Sequence, residues 1–221
     1  IYQELDKIFV ADTRHPSPET KFAHYRGLML LDQLGLVDEL FPEMVALKGF
    51  EQNPKYHLHD GFKHTLEAFK GAKPNVRWAT LLHDIGKPPC REKYGNTYDH
   101  ATIGADIAKT IVERLKMPKD KGKRIVDLVL HHMVNINRDM RKAKLDWFVA
   151  EHNTIALDLA DLIDADTYGA TGTYPTANFI RETYNQLVDE RAPFSVQELP
   201  VNGRDLVEAG VEYVVVGHSE R

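Results

Sequence analysis

The sequence predicts an all-α helical bundle, and three observations lead there. Apolar residues recur at helical spacing along most of the 221 residues. Strand-like alternation is nearly absent before residue 211. Histidines and aspartates fall on the apolar faces of several of these helices, where a polar group without a partner is costly.

The elements follow in order. Ser17-Pro18-Glu19 opens a helix with its proline early in the first turn, and Gly35 closes it. A second, short helix runs over about 37–47. Asn53-Pro54 breaks the chain before a helix over about 57–70, which Gly71 and Pro74 end. A short apolar helix over 76–85 is stopped by Gly86 and by Pro88-Pro89. Asp99 is placed to cap a helix whose apolar row is Ala101, Ala105, Ala108, Val112 and Leu115, ended by Pro118. Further helices are expected near 122–135, 142–151, 153–168 and 175–190, with loops at 86–98, 135–140 and 169–174. No internal repeat or low-complexity segment is visible. The expected organisation is a helical lead-in over 1–50, the main domain over 51–190, and a tail over 191–221 with a short strand-like stretch.

Composition sets bounds on function. A 43% apolar and 28% charged chain is that of a folded globular protein. Its apolar runs are far shorter than the ~20 residues of a membrane span, and no secretory signal is expected at the N-terminus. The chain opens on Ile1 rather than methionine, so we expect a product trimmed or cut from something larger. The single cysteine, Cys90, makes no internal disulfide, which fits a reducing cytoplasm. A net charge of −5 argues against nucleic-acid binding by the whole surface. A local basic stretch remains, with Lys109, Arg114, Lys116, Lys119, Lys121, Lys123 and Arg124, followed by Arg138, Arg141, Lys142 and Lys144. It reads first as solvated helix faces, and second as a phosphate-contacting rim for RNA or a nucleotide.

The chemistry lies in the polar residues of the apolar stripes. Near 153–168, Ile155, Leu159 and Leu162 mark the buried row and Asp166 continues it; Asp164 falls on the opposite side and is expected to face outward. In the helix near 122–135, Ile125, Leu128, Val129 and His132 share a face, whereas His131 lies off it and is placed to pair with Asp127. His83-Asp84 ends a short apolar helix, and Gly86 allows a tight turn after it. Lys87 is a point charge within reach of a phosphate. His64 stands nineteen residues upstream of His83, a spacing suited to two packed antiparallel helices, and His100 enters the next helix. Imidazole nitrogens with carboxylate oxygens suit a divalent ion such as Mg²⁺, Mn²⁺, Fe²⁺, Co²⁺, Ni²⁺ or Zn²⁺.

The order His64, His83-Asp84, Asp166 resembles the HD superfamily of metal-dependent phosphohydrolases. More narrowly, the chain resembles the C-terminal HD region of bacterial tRNA nucleotidyltransferases, the CCA-adding enzymes. The residues that carry this are Leu40-Phe41-Pro42-Glu43, Gln52-Asn53-Pro54-Lys55-Tyr56-His57, His64-Thr65-Leu66, Leu81 to Pro88, and Asn202-Gly203-Arg204-Asp205-Leu206. The resemblance implies an HD-domain bundle in which His64, His83, Asp84 and Asp166 hold the metal, with His100 and His132 near the substrate or a second ion. It implies hydrolysis of phosphomonoesters or 2′,3′-cyclic phosphodiesters of nucleotides or RNA ends, and contact with tRNA. The nucleotidyltransferase head, with its paired carboxylates on strands, has no counterpart in this sequence, so nucleotide addition by this chain alone is not expected. The segment Glu208 to Arg221 resembles triosephosphate isomerase around its electrophilic histidine, but without a barrel or a catalytic glutamate no isomerase activity is expected of it.

In the expected mechanism a divalent ion activates water and polarises a phosphoryl oxygen. Asp84 orients or deprotonates the water. Lys87, Arg91 and His132 offset charge on the phosphate, His100 or His132 protonates the leaving oxygen, and Tyr94, Gly95 and Tyr98 shape the mouth. If His100 and His132 are ligands, the site holds two ions. Two alternatives stand beside this reading: a non-catalytic RNA-binding helical module, and a nucleotidase or dNTP triphosphohydrolase using the same ligands.

Overall fold

The computed structural model describes residues 1–14, 16–53, 59–133, 139–173 and 177–194, with Glu198 and Asp205. Among the described residues every regular element is a helix. The chain opens with α1 (Tyr2–Phe9) and α2 (Ala11–Arg14), too short for their apolar spacing to stand out in the sequence. α3 (Ala23–Gln33) begins later than expected. Ser17 and Thr20 instead close a turn by bonding each other, Ser17 N to Thr20 Oγ1 at 2.8 Å and Thr20 N to Ser17 Oγ at 3.2 Å, and Phe22 then turns left-handed at φ 62°. The expected 37–47 helix is divided at Pro42 into α4 (Leu36–Leu40) and a 3-10 turn (Pro42–Leu47).

α5 (Gly61–Gly71) is capped by Asp60, which accepts from Lys63 N at 2.8 Å. α6 (Arg77–Leu82) ends at His83. The expected 86–98 loop contains α7 (Lys87–Tyr94), because Pro88 and Pro89 sit in its first turn, where a missing N–H costs nothing. They start a helix where they were read as stopping one. α8 (His100–Arg114) begins after Asp99 as expected, but the Asp99 side chain makes no capping bond. α9 (Lys119–His131), α10 (Lys142–Glu151), α11 (Ala156–Thr171) and α12 (Asn178–Asp189) complete the bundle. Most of the expected 135–140 loop, the start of the expected 175–190 helix, the strand-like tail stretch, segment 208–221 and all of 202–206 but Asp205 lie outside the described residues.

Two pairings organise the interior: α5 lies along α11, and α8 forms a hairpin with α9. The apolar core runs continuously from Leu5 to Leu187. The N-terminal helices are pinned to it by Phe9, whose ring meets Phe69 and Trp78, and by Arg77, whose two Nη atoms bond Asp12 at 2.6 and 2.8 Å. α12 covers the face of α11 that α5 leaves open. Asp164 is consequently buried, against the expectation that it faces outward: Arg181 Nη1 stands 2.7 Å from Oδ2, and Ala177 N donates to Oδ1 at 3.0 Å. No helix among the described residues is long and apolar enough to cross a membrane.

Candidate metal centre

α5, α6, α8, α9 and α11 deliver the expected side chains to one interior. His64, His83, Asp84, His100 and His132 are all buried, and Asp166 is partly so. They fall into two trios, each able to present its ligand atoms within 4.8 Å of one another: His64, His83 and Asp166, and Asp84, His100 and His132. In the first, His64 Nε2 is 2.9 Å and His83 Nε2 3.4 Å from Asp166 Oδ1, and the two imidazoles face each other at 3.3 Å. In the second, His100 Nε2 lies 3.3 Å and His132 Nε2 3.8 Å from Asp84 Oδ1, with 3.1 Å between the nitrogens. The Asp84 carboxylate joins the trios, since its Oδ2 faces His64 at 3.5 Å and His83 at 3.4 Å.

Local structure fixes three of the rings in the same way. His83 and His132 follow the last residues of α6 and α9, where terminal carbonyls lack helical partners. Each Nδ1 meets the carbonyl three residues upstream, His83 on Thr80 O and His132 on Val129 O, at 2.7 Å in both cases. His100 does the same with Thr97 O at 2.6 Å. A carbonyl only accepts, so these nitrogens carry the hydrogen and each Nε2 turns its other valence to the centre. Two helix C-termini, favourable to cations, also point there.

The donor set fits a divalent ion. His100 and His132 bring two Nε2 lone pairs to 3.1 Å with both Nδ1 hydrogens already engaged, so neutral rings cannot hydrogen-bond each other and need a cation between them. Burial pushes the His132 imidazole down, towards its neutral form. Burial would also lower His83, but the Asp84 and Asp166 carboxylates outweigh it and push that ring up, as they would favour a cation there. Burial would raise Asp84; the charges of His83 and Lys87 hold it well below the usual carboxylate range. Asp166 is held there too, its burial outweighed by hydrogen bonds from His64 and His83. Asp84 and Asp166 are thus disposed to the ionised form that binds metal.

Beside the second trio opens a cavity of about 700 Å³ whose wall includes Lys87, Arg91 and His100. Lys87 is drawn inward: its Nζ is 2.7 Å from Asp84 Oδ2 and donates to Gln52 Oε1 at 2.7 Å. Arg91 stacks on Phe50 at 4.0 Å and donates to Glu51 O at 2.8 Å. Gly95 and Tyr98 line the mouth as expected; Tyr94 does not line it. His131 stays outside the cluster, but its ring meets His152 at 4.6 Å rather than bonding Asp127. Sequence reasoning missed Phe50, Gln52 and Met133 in the cavity wall. Nothing in their spacing marked them, because they come from loops between the helices.

Comparison with known proteins places residues 61–168 in a match to the HD domain family. The chain is 34% identical over 187 residues to the A-adding tRNA nucleotidyltransferase of Deinococcus radiodurans, covering 79% of this chain and 42% of that protein. It is 31% identical over 189 residues to the CC-adding tRNA nucleotidyltransferase of Thermus thermophilus, covering 80% and 42%. It is 28% identical over 186 residues to a bifunctional uridylyltransferase/uridylyl-removing enzyme of Gluconobacter oxydans, covering 73% and 18%. The chain thus spans about two fifths of the length of the two tRNA nucleotidyltransferases.

Proposed function

Because residues 61–168 form an HD-superfamily domain resembling that of tRNA nucleotidyltransferases, we propose that this chain is a metal-dependent phosphohydrolase acting on phosphomonoesters or 2′,3′-cyclic phosphodiesters of nucleotides or RNA ends. The observation that carries this reading is the pair of trios joined by one carboxylate, Asp84, at the wall of a nucleotide-sized cavity. A relative named for removing uridylyl groups supports hydrolysis, and relatives named for acting on tRNA support an RNA end as substrate.

His64, His83 and Asp166 would hold one ion, His100 and His132 a second, and Asp84 would share its two oxygens between them. A bound divalent ion supplies Lewis-acid activation of water and of a phosphoryl oxygen. The chain's own residues do the rest. Asp84, kept ionised, would orient the attacking water, whose proton would pass to solvent because both Asp84 oxygens are committed to the ions. Lys87, held by Asp84 and Gln52, sets its positive charge where a phosphate enters, and Arg91, one turn further along α7, supplies a second charge. His100 and His132 are better suited to ligation than to protonating a leaving group, because their hydrogens are engaged with carbonyls on the far side of each ring.

The test is elemental analysis of protein purified without chelator, followed by assays on p-nitrophenyl phosphate and 2′,3′-cyclic AMP with added Mg²⁺, Mn²⁺, Co²⁺, Ni²⁺ or Zn²⁺. We expect bound metal and turnover of at least one ester. Full occupancy with no turnover would overturn the hydrolase reading in favour of a non-catalytic RNA-binding module. Turnover of dNTPs alone would favour a triphosphohydrolase.

A further inference from the structure

The basic stretch over 109–124 is sorted by the fold into two groups. Arg114 bonds Glu43 from both Nη atoms, Lys121 pairs with Asp6 and Arg124 with Asp158, so these three cations tie helices together. Lys109, Lys116, Lys119 and Lys123 make no such side-chain contact among the described residues, and all four are exposed. They line one cavity of about 520 Å³ between the end of α8 and the start of α9. Its floor is aliphatic, made by Val112, Met117, Gly122 and Val126, and Glu113 is the one acidic residue of its lining among the described residues. The metal trios sit at the other end of the same hairpin. The 15 residues of α8 separate the two places by roughly 20 Å.

A second observation concerns how Lys116 is held. The end of α8 bonds Met117 N to Val112 O and Lys116 N to Glu113 O, each at 3.0 Å. This is the Schellman arrangement, whose left-handed position usually goes to glycine. Here it is taken by Lys116 at φ 53°. A glycine would close α8 without strain, so the lysine side chain at this rim calls for a reason beyond the cap.

We propose that this cavity is a second binding site, for a small organic anion that combines an apolar body with a headgroup of two or more negative charges. The volume falls in the range of small-molecule sites. The floor explains the apolar part, and four lysines against one glutamate explain the charge. Among the described residues no aromatic side chain lines the cavity, which argues against stacked single-stranded bases, since these use such platforms.

The test uses decylphosphonate, which cannot be hydrolysed, and protein labelled with ¹³C at the methionine methyls. Met117 lines this cavity and Met133 the one beside the metal trios, so one spectrum distinguishes the sites. We expect a saturable shift of the Met117 methyl, assigned with Met117→Leu, at concentrations that leave Met133 in place. Replacing the four lysines by glutamine should weaken binding at least about tenfold, and Val126→Trp should abolish it, with phosphoesterase activity unchanged in each. Lys116→Gly should weaken binding several-fold while raising the unfolding midpoint, a combination that a merely structural lysine would not give. The proposal is overturned if only Met133 shifts, or if the fourfold glutamine variant binds within twofold of the parent. It is also overturned if an RNA duplex shifts Met117 at lower concentration than decylphosphonate.

Discussion

Gly86 sets the distance between the two halves of the proposed site, and Gly86→Ala tests that arrangement. Its φ of −80° is open to any residue, so the requirement is for space rather than conformation. A Cβ there would lie 2.1 Å from His100 O and 2.5 Å from Gly104 N. Both are backbone atoms of α8 and neither can rotate away. Real Cβ contacts essentially never fall below 3.0 Å, so the turn after His83-Asp84 and the first turn of α8 must part by about 0.9 Å. His100 travels with α8, which stretches its 3.3 Å approach to Asp84 beyond 4 Å. A displacement near 1 Å at a reacting centre costs about 100-fold in rate, and overpacking costs about 1–3 kcal/mol of stability. Gly169→Ala is the matched comparison. Its Cβ would meet Ala68 Cβ at 2.7 Å and His64 O at 2.9 Å, so α5 and α11 need part by only a few tenths of an ångström. Metal content per chain and hydrolysis of bis(p-nitrophenyl) phosphate would be measured for both. Gly86→Ala should lose most of the second ion and about 100-fold in kcat/KM, with Gly169→Ala much milder. If Gly86→Ala keeps two ions and activity within about threefold, or if Gly169→Ala is the worse of the two, the close approach of turn and helix does not set the site.

Other outcomes follow from the same geometry. Asp84→Asn keeps the shape but removes the charge shared by both trios, and metal content should fall at least about tenfold at either position by elemental analysis. His132→Ala should cost about 100-fold in activity and His131→Ala less than about threefold, because His131 packs on His152 outside the cluster; equal losses would show the helix phase to be misread. Asp12 bears on acid stability. Burial would raise its carboxyl, but the Arg77 hydrogen bonds and charge, with His24 adding, hold it below the ordinary value. A depressed folded pKa contributes stability above the unfolded value near 3.9 that is lost as pH falls through the folded one. Asp12→Asn, which also strands the buried Arg77, should therefore cost about 3–5 kcal/mol in denaturant unfolding at pH 7, with the gap to the parent closing below about pH 4.

The bundle was legible because helix spacing reports which face is buried, and His132 and Asp166 each extend an apolar row. Misreadings arose where local chemistry has two outcomes. Pro88-Pro89 both stops one helix and suits the first turn of the next, and only the packing of α7 on the rest of the chain decides. Ser17 and Thr20 can cap a helix or bond each other in a turn, and they do the latter. Asp164 was assigned to solvent on the assumption that α11 has one buried face. A helix between α5 and α12 has two, and the carboxylate at the second is met by Arg181.

The placement of the proposed ligands at helix ends has a consequence beyond this fold. In the middle of a helix each carbonyl already accepts one ladder hydrogen bond, so an imidazole there must share it. At the ends of α6 and α9, and at the entry to α8, the carbonyl three residues upstream takes the ring Nδ1–H directly. The backbone therefore does for three histidines what a neighbouring carboxylate does in other metal sites, fixing tautomer and ring direction without adding a charge. That leaves Asp84 and Asp166 as the only anions of the two trios. Two carboxylates facing two divalent ions leave net positive charge, which would attract a phosphate ester rather than repel it.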